Sequence, residues 1–439
     1  MRPASDSRLT PALAPGVRRR EVWAWAMYDF ANSGYTTIVI TAVFNAWFVS
    51  GIARNAQWAT LSWTSALSVS YALIMATAPA LGAWADAHAA KKRLLLTTTV
   101  GCVAATAALA LAGPGDVVLA LVLVVVSNYF FGSGETLVAA FLPELASADG
   151  LGRVSGWGWA LGYVGGLVSL ALSLGWLAWA EAHGVANEAA VPVTLVITAL
   201  LFATASLPTF LLLRERAAPR GGPVARRALA GALARLRQGL RDTGHYVDMR
   251  RFLVCIVFYQ AGIQAVVALA GIYAQQAMGF TLPQIITLIA VVNVTAVLGA
   301  LAFGHLQDRL GHVRTLALTL LGWIAMVLLA WAATTPPLFW VSANLAGLCM
   351  GASQSAGRAL VGWLAPRARR AEFFGLWGFA VKLSSILGPL TYGLASWLSG
   401  GDHRFAILLT GSYFLVGLLV LAGIDVARGR REALSGTAS

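Results

Sequence analysis

Four ionisable side chains, Asp29, Glu135, Arg358 and Lys382, stand inside long apolar runs. In a bilayer an uncompensated charge there costs about 2.5–3.5 kcal/mol, so each must meet a partner or a water-filled space. A carboxylate in such a place can take up and release a proton, and a permanently charged, fork-shaped guanidinium can hold a carboxylate through two hydrogen bonds. The chemistry on offer is therefore ion pairing, proton exchange at Glu135 or Asp29, and capture of an anionic group by Arg358. Uncharged polar residues extend the pattern at helical spacing. Asp29, Asn32, Ser33 and Thr36 share one face, as do Asn128, Phe131 and Glu135, then Gln260 and Gln264, then Asn344, Gly347, Gly351, Gln354 and Arg358. Four such stripes imply one wet pathway. Glu135 precedes Pro143 by eight residues, which at 1.5 Å per residue is roughly 12 Å from the end of its helix. An internal repeat sets Arg358 at the matching depth, from which the two could pair across a cavity.

Other chemistries lack their residues. No lysine follows a glycine, which excludes a Walker A loop, and there is no HExxH or GxSxG. Gly156-x-Gly158-x-x-x-Gly162 has no preceding strand and lies in an apolar run, so it is no dinucleotide turn. The six histidines lie near loops without clustering, and Cys102, Cys255 and Cys349 sit in separate apolar runs without metal-ligand spacing. Neither an enzyme nor a cofactor is expected.

The elements that position these residues follow from composition. Of 439 residues, 58% are apolar and 11% charged, against a charged share of about 25% in soluble domains. With a mean hydropathy of +0.73, the chain suits a bilayer. Apolar stretches at about 22–50, 59–84, 92–113, 116–142, 153–180, 190–213, 251–276, 283–305, 313–334, 337–363, 372–399 and 404–427 each reach the spanning length of about 20 residues. The expected fold is an all-α membrane protein of twelve transmembrane helices in two pseudo-symmetric six-helix bundles. All but four of the 31 lysines and arginines fall at the termini or in loops on one side; Arg54 and Arg404 lie opposite, and Arg358 and Lys382 within spans. Retention of basic loops places both termini in the cytoplasm. The domains are then a tail over 1–21, a first bundle over 22–213, a basic linker over 214–250, a second bundle over 251–427 and a tail over 428–439. Within the linker Leu229, Leu233, Leu236 and Leu240 recur beside Arg235, Arg237 and Arg241, as in a helix lying on anionic lipid.

The two halves repeat. Gly82-Ala-Trp-Ala-Asp86 with Lys92 six residues on returns, 222 residues later, as Gly304-His-Leu-Gln-Asp308 with Arg314 at the same offset. Arg309 and Gly311 complete the second copy, where the first has Ala87 and Ala89. Phe141-Leu-Pro143 returns as Leu364-Ala-Pro366, and Glu135 falls opposite Arg358. The glycines let neighbouring helices approach, and the aspartates can face an arginine or a helix N-terminus, contacts able to latch one conformation.

Twelve spans in two halves, with Gly-x-x-x-Asp and a downstream base in both copies, resemble the major facilitator superfamily over the whole chain. Trp25-Ala-Met-Tyr28-Asp29-Phe-Ala-Asn32-Ser33, Arg153-Val-Ser-Gly156-Trp-Gly-Trp-Ala-Leu-Gly162-Tyr163 and Glu372-Phe-Phe-Gly375 with Ile386-Leu-Gly388-Pro389 are similar to the branch of the autophagy-related vacuolar amino-acid effluxers and their bacterial relatives. The branch carries an acidic residue near Ala261, so no role for that group is carried over. The resemblance implies helices one, four, seven and ten around a central cavity, and a latch that links the halves while the outside is open. It also implies secondary transport by alternating access, in a cell inner (plasma) membrane, of amino acids or similar zwitterions, as proton-coupled efflux. Partners would be membrane lipids, a small-molecule substrate and protons, without nucleic acid, and the carrier would act as a monomer. The rival readings are a multidrug or sugar facilitator of the same fold, and a non-transporting sensor or lipid-handling protein.

Overall fold

The computed structural model describes residues 12–216 and 246–435, except Asn55, Gln57, Thr281 and Gly401. The described chain is almost wholly helical, the secondary structure that satisfies its own backbone groups where lipid cannot. The first half comprises α1 (Arg19–Tyr35), α2 (Ala59–His88), α3 (Lys91–Ala108), α4 (Val117–Ala139), α5 (Leu151–Ala182) and α6 (Asn187–Leu212). The second comprises α7 (Val247–Gln276), α8 (Leu282–Leu310), α9 (His312–Ala332), α10 (Pro336–Leu364), α11 (Arg370–Leu398) and α12 (His403–Ala422), followed by a short α13 (Val426–Ser435).

Eleven spans among the described residues are long and apolar enough to cross a membrane. α10 stands outside that set although its 29 residues reach about 44 Å. Ser342, Asn344, Ser353, Gln354, Ser355 and Arg358 make it polar, as suits a helix lining the interior rather than facing lipid. The outer helices show the converse. Leu96, Val100, Leu207, Leu211, Leu318, Leu321, Leu415 and Leu419, on α3, α6, α9 and α12, are exposed, a surface only lipid would cover at no cost.

Within the halves α1 packs on α5 and α6, and α4 on α2 and α3, while α7 packs on α11 and α12, and α10 on α8 and α9. Between halves α2 meets α11, α5 meets α8 and α10, and α4 meets α11. The start of α1, the α2–α3, α4–α5, α8–α9 and α10–α11 turns and α13 share one end of the bundle, which carries most of the arginine and lysine and is called the basic end below.

Two segments depart from the pattern read in the sequence. Beyond Tyr35, α1 widens into a π-helix over Thr36–Ala42. Thr37 Oγ1 donates to the Ser33 carbonyl at 2.9 Å and Thr41 Oγ1 to the Thr36 carbonyl at 3.0 Å, giving the backbone carbonyls there a competing set of donors. The α spacing that put Thr36 on the stripe therefore ends just before it, and Thr36 is exposed. α7 begins at Val247, inside the stretch read as linker, and the basic Leu229–Leu240 helix lies outside the described residues. α11 runs on through Pro389, with Gly388 set against the Ala261 carbonyl of α7, so that glycine serves close packing. Ahead of α1, Leu13 bridges to Ala146, and Ala14 N–H donates to the Leu145 carbonyl at 2.9 Å, strapping the N-terminal segment to the α4–α5 turn.

Candidate functional site

Arg358 reaches from α10 across to the other half. Its Nη1 donates to Asp29 Oδ2 of α1 at 2.6 Å, its Nε to Ser155 Oγ of α5 at 3.2 Å and its Nη2 to the Ser155 carbonyl at 2.9 Å. The guanidinium lies 4.7 Å from the Trp25 ring centroid and 5.3 Å from that of Trp159, so aromatic faces flank a cation that is 3% exposed. Space for it comes from Gly158, where a Cβ would stand 2.5 Å from Arg358 Nη2 and 2.6 Å from Asp29 Oδ2.

Lys382 makes the second crossing. From α11 its Nζ donates to Glu135 Oε2 of α4 at 3.1 Å and lies 5.6 and 5.7 Å from the ring centroids of Tyr71 and Phe131. Glu135 is 26% exposed although it sits within a span and pairs with a side chain of the opposite half, so its carboxylate is more open than the sealed Arg358.

In place of a Glu135–Arg358 pair, two others form. Glu135 and Arg358 do occupy equivalent helices, α4 and α10, but the seam between halves does not set equivalent helices face to face. α4 packs against α11, and α10 against α5, so each side chain meets a neighbour of its counterpart. The remaining polar residues divide. Gln260 and Gln354 join α7 to α10 at 2.8 Å, and Gln264 is partly exposed beside them. Ser33 Oγ is spent on the Asp29 carbonyl at 2.7 Å, and Asn32 is buried nearby. Asn128 is buried and donates to Ser70 Oγ of α2 at 2.9 Å, which makes it an intra-half tie.

At the basic end the repeated motif meets the facing half twice. Asp308 closes α8 and accepts from the Gly152 and Arg153 backbone at 2.9 and 3.2 Å and from Arg153 Nε at 2.7 Å. It therefore caps the N-terminus of α5, where unpaired N–H groups and the helix dipole favour an anion. Asp86, closing α2, accepts from Glu372 N–H at the start of α11 at 3.1 Å. The glycines allow this approach: a Cβ on Gly304 would stand 2.8 Å from the Gly152 carbonyl oxygen, and Gly82 lies against the Ala371 carbonyl. Gly311 has φ +90°, a left-handed conformation, and its counterpart Ala89 adopts φ +48° despite its side chain.

The downstream bases of the motif act elsewhere. Lys92 Nζ donates to the Leu213 carbonyl at 2.6 Å, binding α6 of its own half, while its neighbour Lys91 is buried against Glu144. Arg309 and Arg314 are exposed.

Several residues here carry no mark in the hydropathy pattern. Ser155, Trp25, Trp159 and Gly158 surround Arg358, Tyr71 faces Lys382, and Arg153 serves Asp308. A signal existed for two of them. Arg153 opens α5 as Glu372 nearly opens α11, a correspondence visible once the repeat is extended past the fourth span. Gly158 sits one turn beyond Ser155 in a row of small residues, a row that could be read as packing alone.

Comparison with known proteins bears on this arrangement. The sequence profile of the family described as "Vacuole effluxer Atg22 like" matches residues 58–152 and 150–434. The "Uncharacterized MFS-type transporter YxiO" of Bacillus subtilis is 27% identical over 408 residues, covering 91% of this chain and 93% of that one. Autophagy-related protein 22 of Kluyveromyces lactis is 27% identical over 218 residues, covering 45% of this chain and 42% of its own length. Among solved structures, the human organic anion transporter MFSD10 (TETRAN) superposes with a TM-score of 0.73 at 16% identity, covering 92% of this chain and 99% of that one, which speaks to fold.

Proposed function

This chain belongs to the Atg22-like vacuole effluxer family and has the fold of the major facilitator superfamily, and from that premise we propose that it exports amino acids or similar small zwitterions by proton-coupled alternating access. The observation that carries the reading is the pair of ion bridges, Asp29–Arg358 and Glu135–Lys382, each with its carboxylate in one half and its cation in the other. A rocking motion that parts the halves at this depth separates each carboxylate from its cation. A lone buried carboxylate is costly, and a proton is the smallest substitute for the departed cation. Proton uptake is then tied to the conformational change by the geometry of the bridges.

The contacts of Asp308 and Asp86 hold the basic end together, so their release belongs to the step that opens that end. Retention of basic loops supports a cytoplasmic position for that end and for both termini. The efflux direction rests on the family description. Counterflow of labelled amino acids in proteoliposomes, with and without an imposed pH gradient, tests the reading. It expects exchange that the gradient accelerates, and no exchange of any amino acid would refute it.

A further inference from the structure

The two bridges differ in a way that assigns them different tasks. Arg358 is nearly sealed: it makes one bond to Asp29 and two to Ser155, lies between two tryptophans and is 3% exposed. Nothing can enter without dismantling that set. Lys382 spends one bond on Glu135, at 3.1 Å, and otherwise faces the rings of Tyr71 and Phe131. Its carboxylate partner is 26% exposed.

An ammonium held by one carboxylate and two aromatic faces is the arrangement by which proteins recognise a ligand's ammonium group. Here the ammonium belongs to the protein. We propose that Glu135, Tyr71 and Phe131 form the substrate's ammonium subsite, that Lys382 Nζ fills it in the empty carrier, and that an incoming zwitterion displaces it. The freed Lys382 then receives the substrate carboxylate. This rests on the zwitterion-transport reading and names the site of recognition within it.

Charge balance gives the exchange its selectivity. One buried pair becomes two, Glu135 with the substrate ammonium and Lys382 with the substrate carboxylate, and no net charge is added. An amine lacking a carboxylate would leave Lys382 unpaired beside a second cation. An acid lacking an amine would crowd Glu135. Residue type agrees: Lys382 is one of three lysines among 31 basic residues, and a flexible point charge with rotatable donors can swing between partners where a planar guanidinium fork would be held. Gly132, on the turn of α4 before Glu135, leaves the path clear, since a Cβ there would stand 3.2 Å from Lys382 Cε.

The test is counterflow of labelled leucine in proteoliposomes, competed by leucinamide, a cation, and by N-acetylleucine, an anion. Leucine is expected to exchange in the parent, with both competitors weak. Lys382→Gln should lower apparent leucine affinity at least tenfold and make leucinamide the better competitor, whereas Glu135→Gln should favour N-acetylleucine. Phe131→Leu, which leaves every charge in place, should lower leucine affinity about threefold and is read alone if the charge variants do not fold. A parent that exchanges leucine, alongside a folded Lys382→Gln or Phe131→Leu with parental affinity and parental competitor order, overturns the subsite and leaves the transport reading intact. A parent that exchanges no amino acid overturns both.

Discussion

Asp29 and Arg358 lie 329 residues apart in the chain and 2.6 Å apart in space, joined across the seam between the two halves. The bond ties α1 to α10, and through Ser155 it includes α5. Because the pair is buried, breaking it from one side should cost far more than deleting it. Arg358→Gln leaves the Asp29 carboxylate without its cation, a loss of about 3–5 kcal/mol, whereas Asp29→Asn with Arg358→Gln replaces ions by neutral amides and should recover much of that. Thermal unfolding of the purified variants reads the difference. A double variant no more stable than Arg358→Gln would show that the two side chains are not energetically coupled.

Gly158 is the position from which that bridge can be disturbed without touching a charge. An added methyl group would press on both Arg358 Nη2 and Asp29 Oδ2, and overpacking of this kind costs about 1–3 kcal/mol. Gly158→Ala should lower stability by that amount and slow transport about tenfold or more. Gly175→Ala on the same helix, where nothing lies within 4 Å, is the matched control and should transport as the parent does while gaining about 0.5–1 kcal/mol of stability. Equal transport by the two variants would count against a tightly fitted bridge.

What the sequence made legible was periodicity and cost. The helices and the four ionisable groups within the spans follow from apolar length and from the expense of charge in lipid, which act locally and leave their mark along the chain. Partner choice does not. The repeat correctly set Glu135 and Arg358 on equivalent helices, yet pairing is decided by which helices face one another across a pseudo-symmetric seam, and there α4 meets α11 while α10 meets α5. Asn128 was drawn onto the lining stripe by spacing alone, since a helical wheel cannot distinguish a cavity from a neighbouring Ser70. Trp25 and Trp159 were invisible as cation partners because tryptophan in a span reads equally well as an interface anchor.

The two latch aspartates should contribute unequally. Asp308 accepts two backbone N–H groups and a guanidinium N–H, whereas Asp86 accepts the backbone N–H groups of Glu372 and Ala371 from the facing half, without a guanidinium among these donors. Charge-assisted bonds are worth about 1.5–3 kcal/mol each, so Asp308→Ala should shift the population toward separated basic ends more than Asp86→Ala does. Spin labels on the exposed basic-end surfaces of α5 and α8 would report the separation as a longer distance component. An unchanged distance distribution in Asp308→Ala would refute the latch.

Ala89 and Gly311 occupy the same place in the two copies of the motif, and both take left-handed backbone, at φ +48° and +90°. At Ala89 the reason is plain from the hydrogen bonds. α2 ends there, with the N–H groups of Ala89 and Ala90 both returning to the Ala85 carbonyl, a C-terminal cap that needs one left-handed residue. Glycine takes that conformation freely, while an L-residue pays roughly 1–2 kcal/mol for its Cβ. Ala89→Gly should therefore stabilise the protein by about 0.5–1 kcal/mol after the larger unfolded-state entropy of glycine is deducted, against the usual direction of that substitution inside a helix. Gly311→Ala should do the reverse. Unfolding midpoints of the two single variants decide it. A destabilised Ala89→Gly would mean that the Ala89 methyl group supplies packing worth more than the backbone strain it causes.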